Sequence, residues 1–144
     1  MRTEYNPNQN PRVIIIQKLY GNFFNNDKDL IFKKHRFKKF IKDVVFGTIE
    51  RDEVIIKEIK RYLDTDINLK EHDNIFLIIL KSAIYELLYK PTTSSKIIIK
   101  EYLNASNFFI EDAKTKYLNA LLDKISKNLR FTNEWKYFNK ELSS

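Results

Sequence analysis

His72-Asp-Asn-Ile-Phe-Leu-Ile-Ile-Leu-Lys-Ser-Ala-Ile-Tyr-Glu-Leu-Leu-Tyr89 is the stretch that decides the fold. It is apolar nearly all round, and a helix without a polar side belongs at the centre of a helical protein rather than on its surface. Its longest strictly apolar run, Ile75 to Leu80, is far short of the roughly 20 residues that span a bilayer. Pro91 lies just beyond the stretch and stops it.

Working back toward the N-terminus, apolar residues recur at helical spacing. Ile55, Ile59 and Tyr62 mark one helix, which is expected to stop near Asp64–Asp66. Phe37, Phe40, Ile41, Val44 and Val45 mark another, with Gly47 as its C-cap or a helix junction. Ile15, Ile16, Leu19, Tyr20, Phe23 and Phe24 mark a first helix. Asn10 is placed to cap that helix, with Pro11 at the first helical position, where a missing N–H costs nothing. Val13–Ile16 and Ile97–Ile99 are β-branched runs, but each continues into a helical pattern.

Toward the C-terminus, the hydroxyl-rich segment 91–95 leads into a helix over about 96–108. Asp112 reads as the N-cap of a helix through Leu129 that turns Tyr117, Leu118, Leu121, Leu122 and Ile125 inward. A short final helix would carry Trp135, Phe138 and Leu142, with Thr132 as its cap. The expectation is an all-α protein of about seven helices: an arm over 1–10, one domain over 11–130 and an amphipathic tail over 131–144.

The 144 residues suit one domain, and cysteine is absent. Disulfides, thiol nucleophiles and thiolate metal sites are thereby excluded, and a cytoplasmic location is expected. His35 and His72 are the only histidines and stand at no metal-ligand spacing from a suitable partner. With Gly21 and Gly47 the only glycines, no glycine-rich phosphate loop can form. Glu50, Asp52 and Glu53 read as a solvated helix start. No enzyme, metal or cofactor is expected.

The net charge of +7, from 26 basic and 19 acidic residues, points instead to a polyanionic partner. Arg36, Lys38, Lys39 and Lys42 form a positive face opposite Phe37, Phe40, Ile41 and Val44. Lys96 follows the run Thr92-Thr93-Ser94-Ser95, and Lys114 and Lys116 follow Asp112. A cation in a helix's first turn opposes the macrodipole by about 0.3–1 kcal/mol. An anion bound there reverses the sign, which makes Lys96 a candidate phosphate ligand. Tyr20, Tyr62 and Tyr117 offer rings for unpaired bases and Gln17 an amide for base edges, though spacing alone favours core or boundary packing for each.

Several segments, in order, resemble the NusB family. Arg12-Val-Ile-Ile-Ile-Gln17-Lys-Leu19-Tyr20 resembles its opening helix, and Phe40-Ile-Lys-Asp-Val-Val-Phe-Gly47 its second. Leu80-Lys-Ser-Ala83-Ile-Tyr85-Glu86-Leu87 is similar to its Leu-Arg-x-Ala-x-Tyr-Glu-Leu signature. Lys96-Ile-Ile-Ile-Lys-Glu101 and Tyr117-Leu118-Asn119-Ala120-Leu121-Leu122-Asp123 resemble two later motifs. The order holds from about Arg12 to Leu129.

The resemblance implies two packed three-helix subdomains, about 11–66 and 67–130. It also implies a transcription antitermination factor that binds single-stranded, boxA-type RNA of ribosomal leaders together with the ribosomal protein NusE. Other Nus factors and RNA polymerase would be reached indirectly. The family's RNA contacts fall on Arg12, Gln17, Tyr20, Tyr62, Lys96 and Tyr117, and its NusE contacts on Phe109 and Asp112. No membrane partner is implied, and the state would be a monomer or weak homodimer. An interaction module of the same fold with weakened RNA binding is the alternative.

Departures from the pattern are specific. Residues 1–10 hold Arg2 as their only arginine, where many relatives have an arginine-rich arm. Lys81 replaces a family arginine and weakens any bidentate pairing with a carboxylate such as Glu101. Lys100 replaces an asparagine, Tyr102 an alanine, and Tyr-Leu-Asn-Ala stands for Phe-Val-Asn-Gly. Such changes predict lower RNA affinity, or a shift of binding toward the Arg36–Lys42 face.

Overall fold

The computed structural model describes residues 9–25, 30–62 and 74–142, with side chains as far as Arg130 (Asn25 apart). Six helices make up these residues: α1 Pro11–Asn25, α2 Lys38–Glu50, α3 Asp52–Tyr62, α4 Asn74–Tyr89, α5 Ser95–Ser106 and α6 Asp112–Leu142. The all-α expectation holds. The expected seventh helix is instead the last part of α6, whose backbone continues helical through Leu142. No glycine or proline interrupts residues 112–142, so nothing local forces a stop, and Thr132 lies inside the helix rather than at the start of a new one. The expected stop at Asp64–Asp66, residues 1–8 of the expected arm over 1–10, and His72 lie outside the described residues.

Local signals set the helix starts. The Asn10 side-chain oxygen accepts hydrogen bonds from the backbone N–H of Arg12 at 2.9 Å and of Val13 at 3.3 Å. Two donors that a helix start leaves orphaned are thereby satisfied, with Pro11 as the first helical residue. Ser94 caps α5 by accepting from the Ile97 N–H at 3.3 Å. The α3 helix opens with Asp52 and Glu53 and closes with Lys60 and Arg61, the charge order that the helix dipole favours.

The apolar helix α4 is the hub. It packs against α1, α2 and α3 on one side and α5 and α6 on the other, and α1 also touches α5. Its residues Ile79, Leu80, Ala83, Ile84 and Leu87 are fully buried. Burying a side chain such as Leu80 or Ile84 contributes about 1.5–3 kcal/mol, so the hub has to be covered on all sides. The cover comes from Ile15, Ile16, Val44, Val45, Ile55 and Ile59 on one side and Ile98, Leu118, Leu122 and Ile125 on the other. No helix among the described residues is long and apolar enough to cross a membrane.

Gly47 is neither a cap nor a junction. It lies inside α2, buried, with the Tyr85 ring of α4 directly against it. A Cβ at this position would overlap the ring, so glycine sets how closely α2 and α4 approach here. Phe37 departs from expectation too: it precedes α2 and is exposed rather than part of the buried stripe.

Replacing Gly47 with alanine should cost about 1–3 kcal/mol through overpacking. In urea unfolding the midpoint should fall with the slope unchanged. Adding Tyr85→Leu should recover part of the loss, because the two residues share one clash. An unshifted midpoint in Gly47→Ala would show that the ring gives way at a cost no larger than the gain of about 0.5–1 kcal/mol that alanine brings inside a helix.

Candidate functional site

Arg12 is not on the surface. Its Nε donates to Glu86 Oε2 at 3.0 Å and its Nη2 to Glu86 Oε1 at 2.6 Å, a two-pronged pair joining the start of α1 to the end of α4. Glu86 is 0% exposed and Arg12 9%. The guanidinium lies 5.0 Å from the Phe40 ring centroid and 5.6 Å from that of Tyr102, so two aromatic faces close over it. Burial works against the Arg12 charge, but the Glu86 hydrogen bonds and negative charge outweigh it and hold the group firmly protonated. Burial, and then the Glu86 charge, push the ionisation of Tyr102 well above its usual range. Two of the Arg12 donors are therefore aimed inward at Glu86, while the residue itself is buried rather than displayed on the surface.

Lys81 pairs with Asp52 at 2.9 Å, tying α4 to the start of α3, rather than with Glu101. The family arginine's position thus becomes a partly exposed cross-link between neighbouring helices.

Gln17 is exposed on α1 and lines a groove of about 440 Å³ with Ile14, Lys18, Phe32, Lys33, Lys34, His35, Lys38 and Ile41. No carboxylate is among these lining residues. The Lys18 and Lys42 ammonium groups stand 5.7 and 5.8 Å from the centroid of the Phe32 ring. Here the sequence reading found Gln17 and missed its surroundings. The signal was present in the consecutive Lys33-Lys34-His35-Arg36, but the segment has no helical period and lies outside α2.

Lys96 is exposed in the first turn of α5. With Ser95, Ile99, Asn119, Asp123, Ser126, Lys127 and Arg130 it lines a cleft of about 570 Å³. Lys127 pairs with Asp123 at 3.1 Å. Arg130 donates to the carbonyl oxygens of Lys90 and Pro91, both at 3.3 Å, pinning the loop that leads into α5.

The tyrosines do not join Lys96 in one patch. Helices α5 and α6 run antiparallel, with Ser106 Oγ at the end of one lying 3.5 Å from Thr115 Oγ1 at the start of the other. The starts of the two helices therefore point to opposite ends of the pair. Tyr117, 38% exposed, stacks on Phe76 of α4 with centroids 5.4 Å apart. Tyr20, 40% exposed, leans on Phe24 at 4.6 Å. Tyr62 ends α3, half-buried against the core. Phe109 and Asp112 flank the α5–α6 turn, Phe109 partly packed on the core and Asp112 exposed as the first residue of α6.

Glu86→Leu should cost about 3–5 kcal/mol, because it leaves the Arg12 charge buried without its partner. A thermal or urea transition within about 1 kcal/mol of the parent would show the pair to be solvated instead.

The NusB family profile matches residues 9–127. The "Transcription antitermination protein NusB" of Coxiella burnetii (strain RSA 493 / Nine Mile phase I) is 31% identical over 130 residues, covering 84% of this chain and 93% of that protein. The Mesorhizobium japonicum protein of the same name is 27% identical over 92 residues, which are 64% of this chain and 59% of its own length. The solved structure of T. maritima NusB superposes with a TM-score of 0.73 at 23% identity, covering 88% of this chain and 93% of that one. The shared architecture and the length of the profile match together place the chain in the NusB family.

Proposed function

We propose that this protein is a transcription antitermination factor that binds single-stranded, boxA-type RNA of ribosomal leader transcripts. It acts in the cytoplasm, as a monomer or weak homodimer, without catalysis, metal or cofactor. Relatives named for antitermination support the role. The single observation that carries RNA binding is the Gln17 groove: an amide, four lysines and the rings of Phe32 and His35, with no carboxylate among the described lining residues. Lysines meet phosphates as point charges, the amide meets a base edge, and aromatic rings take stacked bases.

In this reading Lys96 holds a further phosphate at the capped start of α5, where free backbone N–H groups and the Ser95 hydroxyl accompany its charge. Tyr20 and Tyr117 present partly open rings for bases at the other end of the α5–α6 pair, and Tyr62 a more shielded one. Arg12 contributes by positioning: through Glu86 it fixes the helix that carries Gln17 and Tyr20. Phe109 and Asp112 at the α5–α6 turn meet a NusE-type ribosomal protein, through which other Nus factors and RNA polymerase are reached.

A second reading has its own observation. Tyr20, Phe23 and Phe24 are exposed together at the end of α1, with Phe23 and Phe24 centroids 5.1 Å apart. Clustered exposed aromatics are a feature of protein interfaces, so docking on a protein without RNA is the alternative.

Titration of boxA-type RNA across a salt series separates the two readings. Lys96→Ala and Lys34→Gln should each flatten the slope of log K against log salt by about 0.7, the value for one single-strand phosphate contact. Parent protein that binds no RNA, yet still captures NusE, would sink the RNA reading and leave the docking one.

A further inference from the structure

We infer that the RNA strand does not end in the Gln17 groove but crosses the start of α2 and continues into a second cleft, between α2 and α4. This inference rests on the RNA reading above and extends it to residues outside the Gln17 groove, the Lys96 cleft and the Phe109–Asp112 turn. The cleft has a volume of about 740 Å³, within the ~300–1,000 Å³ of small-ligand sites. Lys38 lines both this cleft and the Gln17 groove, so the two adjoin at that side chain.

Its chemistry suits single-stranded RNA in two respects. Lys38, Lys39, Lys42 and Arg51 supply cations along the wall. Asp43 and Glu50 are the opposing carboxylates, and Asp43 is already paired with Lys90 from α4. Lys38 and Lys39 form no ion pair among the described residues. Four cations against one uncommitted carboxylate leave the wall positive.

The second feature is aromatic. Tyr85 and Tyr89, one helical turn apart on α4, bring their ring centroids to 5.0 Å. Gly47 lets the Tyr85 ring settle against α2, and the Arg51 guanidinium covers Tyr89 at 5.3 Å from its centroid. Tyr89 remains exposed at the cleft edge, where a base can stack beside the guanidinium. Cations that track a backbone, next to a ring that accepts any base, describe a site for single strands without sequence preference. A phosphorylated protein would need the cations but has no use for the ring at the cleft edge.

The test uses the full chain and a single-stranded RNA of about 16 nucleotides carrying 4-thiouridine, the upper end of single-strand site sizes. Irradiated complexes should yield cross-links in peptides spanning Tyr85–Tyr89 as well as in those around Lys33–Lys38. Tyr89→Leu, which leaves the charge untouched, should weaken binding about fivefold or more. The pair Lys39→Gln and Lys42→Gln should lower the salt slope by about 1.4. Cross-links confined to the Gln17 groove, with both variants binding as the parent does, would end the strand at Lys38 and overturn the inference while RNA binding stands. Parent protein that binds no RNA at any salt would overturn both.

Discussion

One buried ion pair constrains the molecule. Arg12 and Glu86 meet through two hydrogen bonds where no water reaches Glu86, and they join the first turn of α1 to the last turns of the hub helix. Taking two charges out of water is expensive, and a pair of this kind often contributes little net stability against an apolar substitute. Its value is in uniqueness. The planar guanidinium accepts one register of α1 on α4, with Phe40 of α2 and Tyr102 of α5 closing over the same group. Four helices are thus referred to a single point, and the groups on their outer faces inherit that geometry.

The surface follows from what the pair consumes. With Arg12 turned inward, the outward cations at the junction of α1 and α2 are mainly lysines: Lys18, Lys33, Lys34, Lys38, Lys39 and Lys42. Lysine offers a hydrated point charge rather than a rigid fork, which suits following a phosphate backbone more than reading a base. Base contacts then rest on the Gln17 amide and on rings. The same logic connects packing to recognition at Gly47, where the absence of a Cβ lets the Tyr85 ring lie between α2 and α4 and form part of a cleft wall.

Much of the fold was legible because its signals are local. The all-round apolar pattern of 74–89 announces a central helix, and Asn10-Pro11 announces a helix start that the hydrogen bonds reproduce. What escaped depends on partners distant in sequence. That Gly47 exists for Tyr85, that Arg12 belongs to Glu86, and that Lys81 reaches Asp52 are long-range facts that no periodicity encodes. Phe37 had the right spacing for the core but falls before α2 begins, so it turns outward. The split of α6 into two helices followed an amphipathic pattern without a breaker, and continuous backbone hydrogen bonding won. Among the site residues, Gln17 and Lys96 are exposed in clefts. Lys96 and Tyr117 begin neighbouring helices that run antiparallel, so they fall toward opposite ends of the pair, which spacing along the chain does not reveal.

The most direct test of this account is RNA affinity in a variant that replaces the internal pair as a unit, Arg12→Met with Glu86→Leu. Removing both charges leaves neither buried alone, so the variant should fold with stability close to the parent's. If Arg12 only positions the frame, the folded variant keeps the parent's salt slope, and any affinity it loses comes from a loosened α1 rather than from a missing phosphate contact. A folded variant that loses affinity together with about 0.7 of slope would show Arg12 holding a phosphate, and would contradict the inward role assigned to it here.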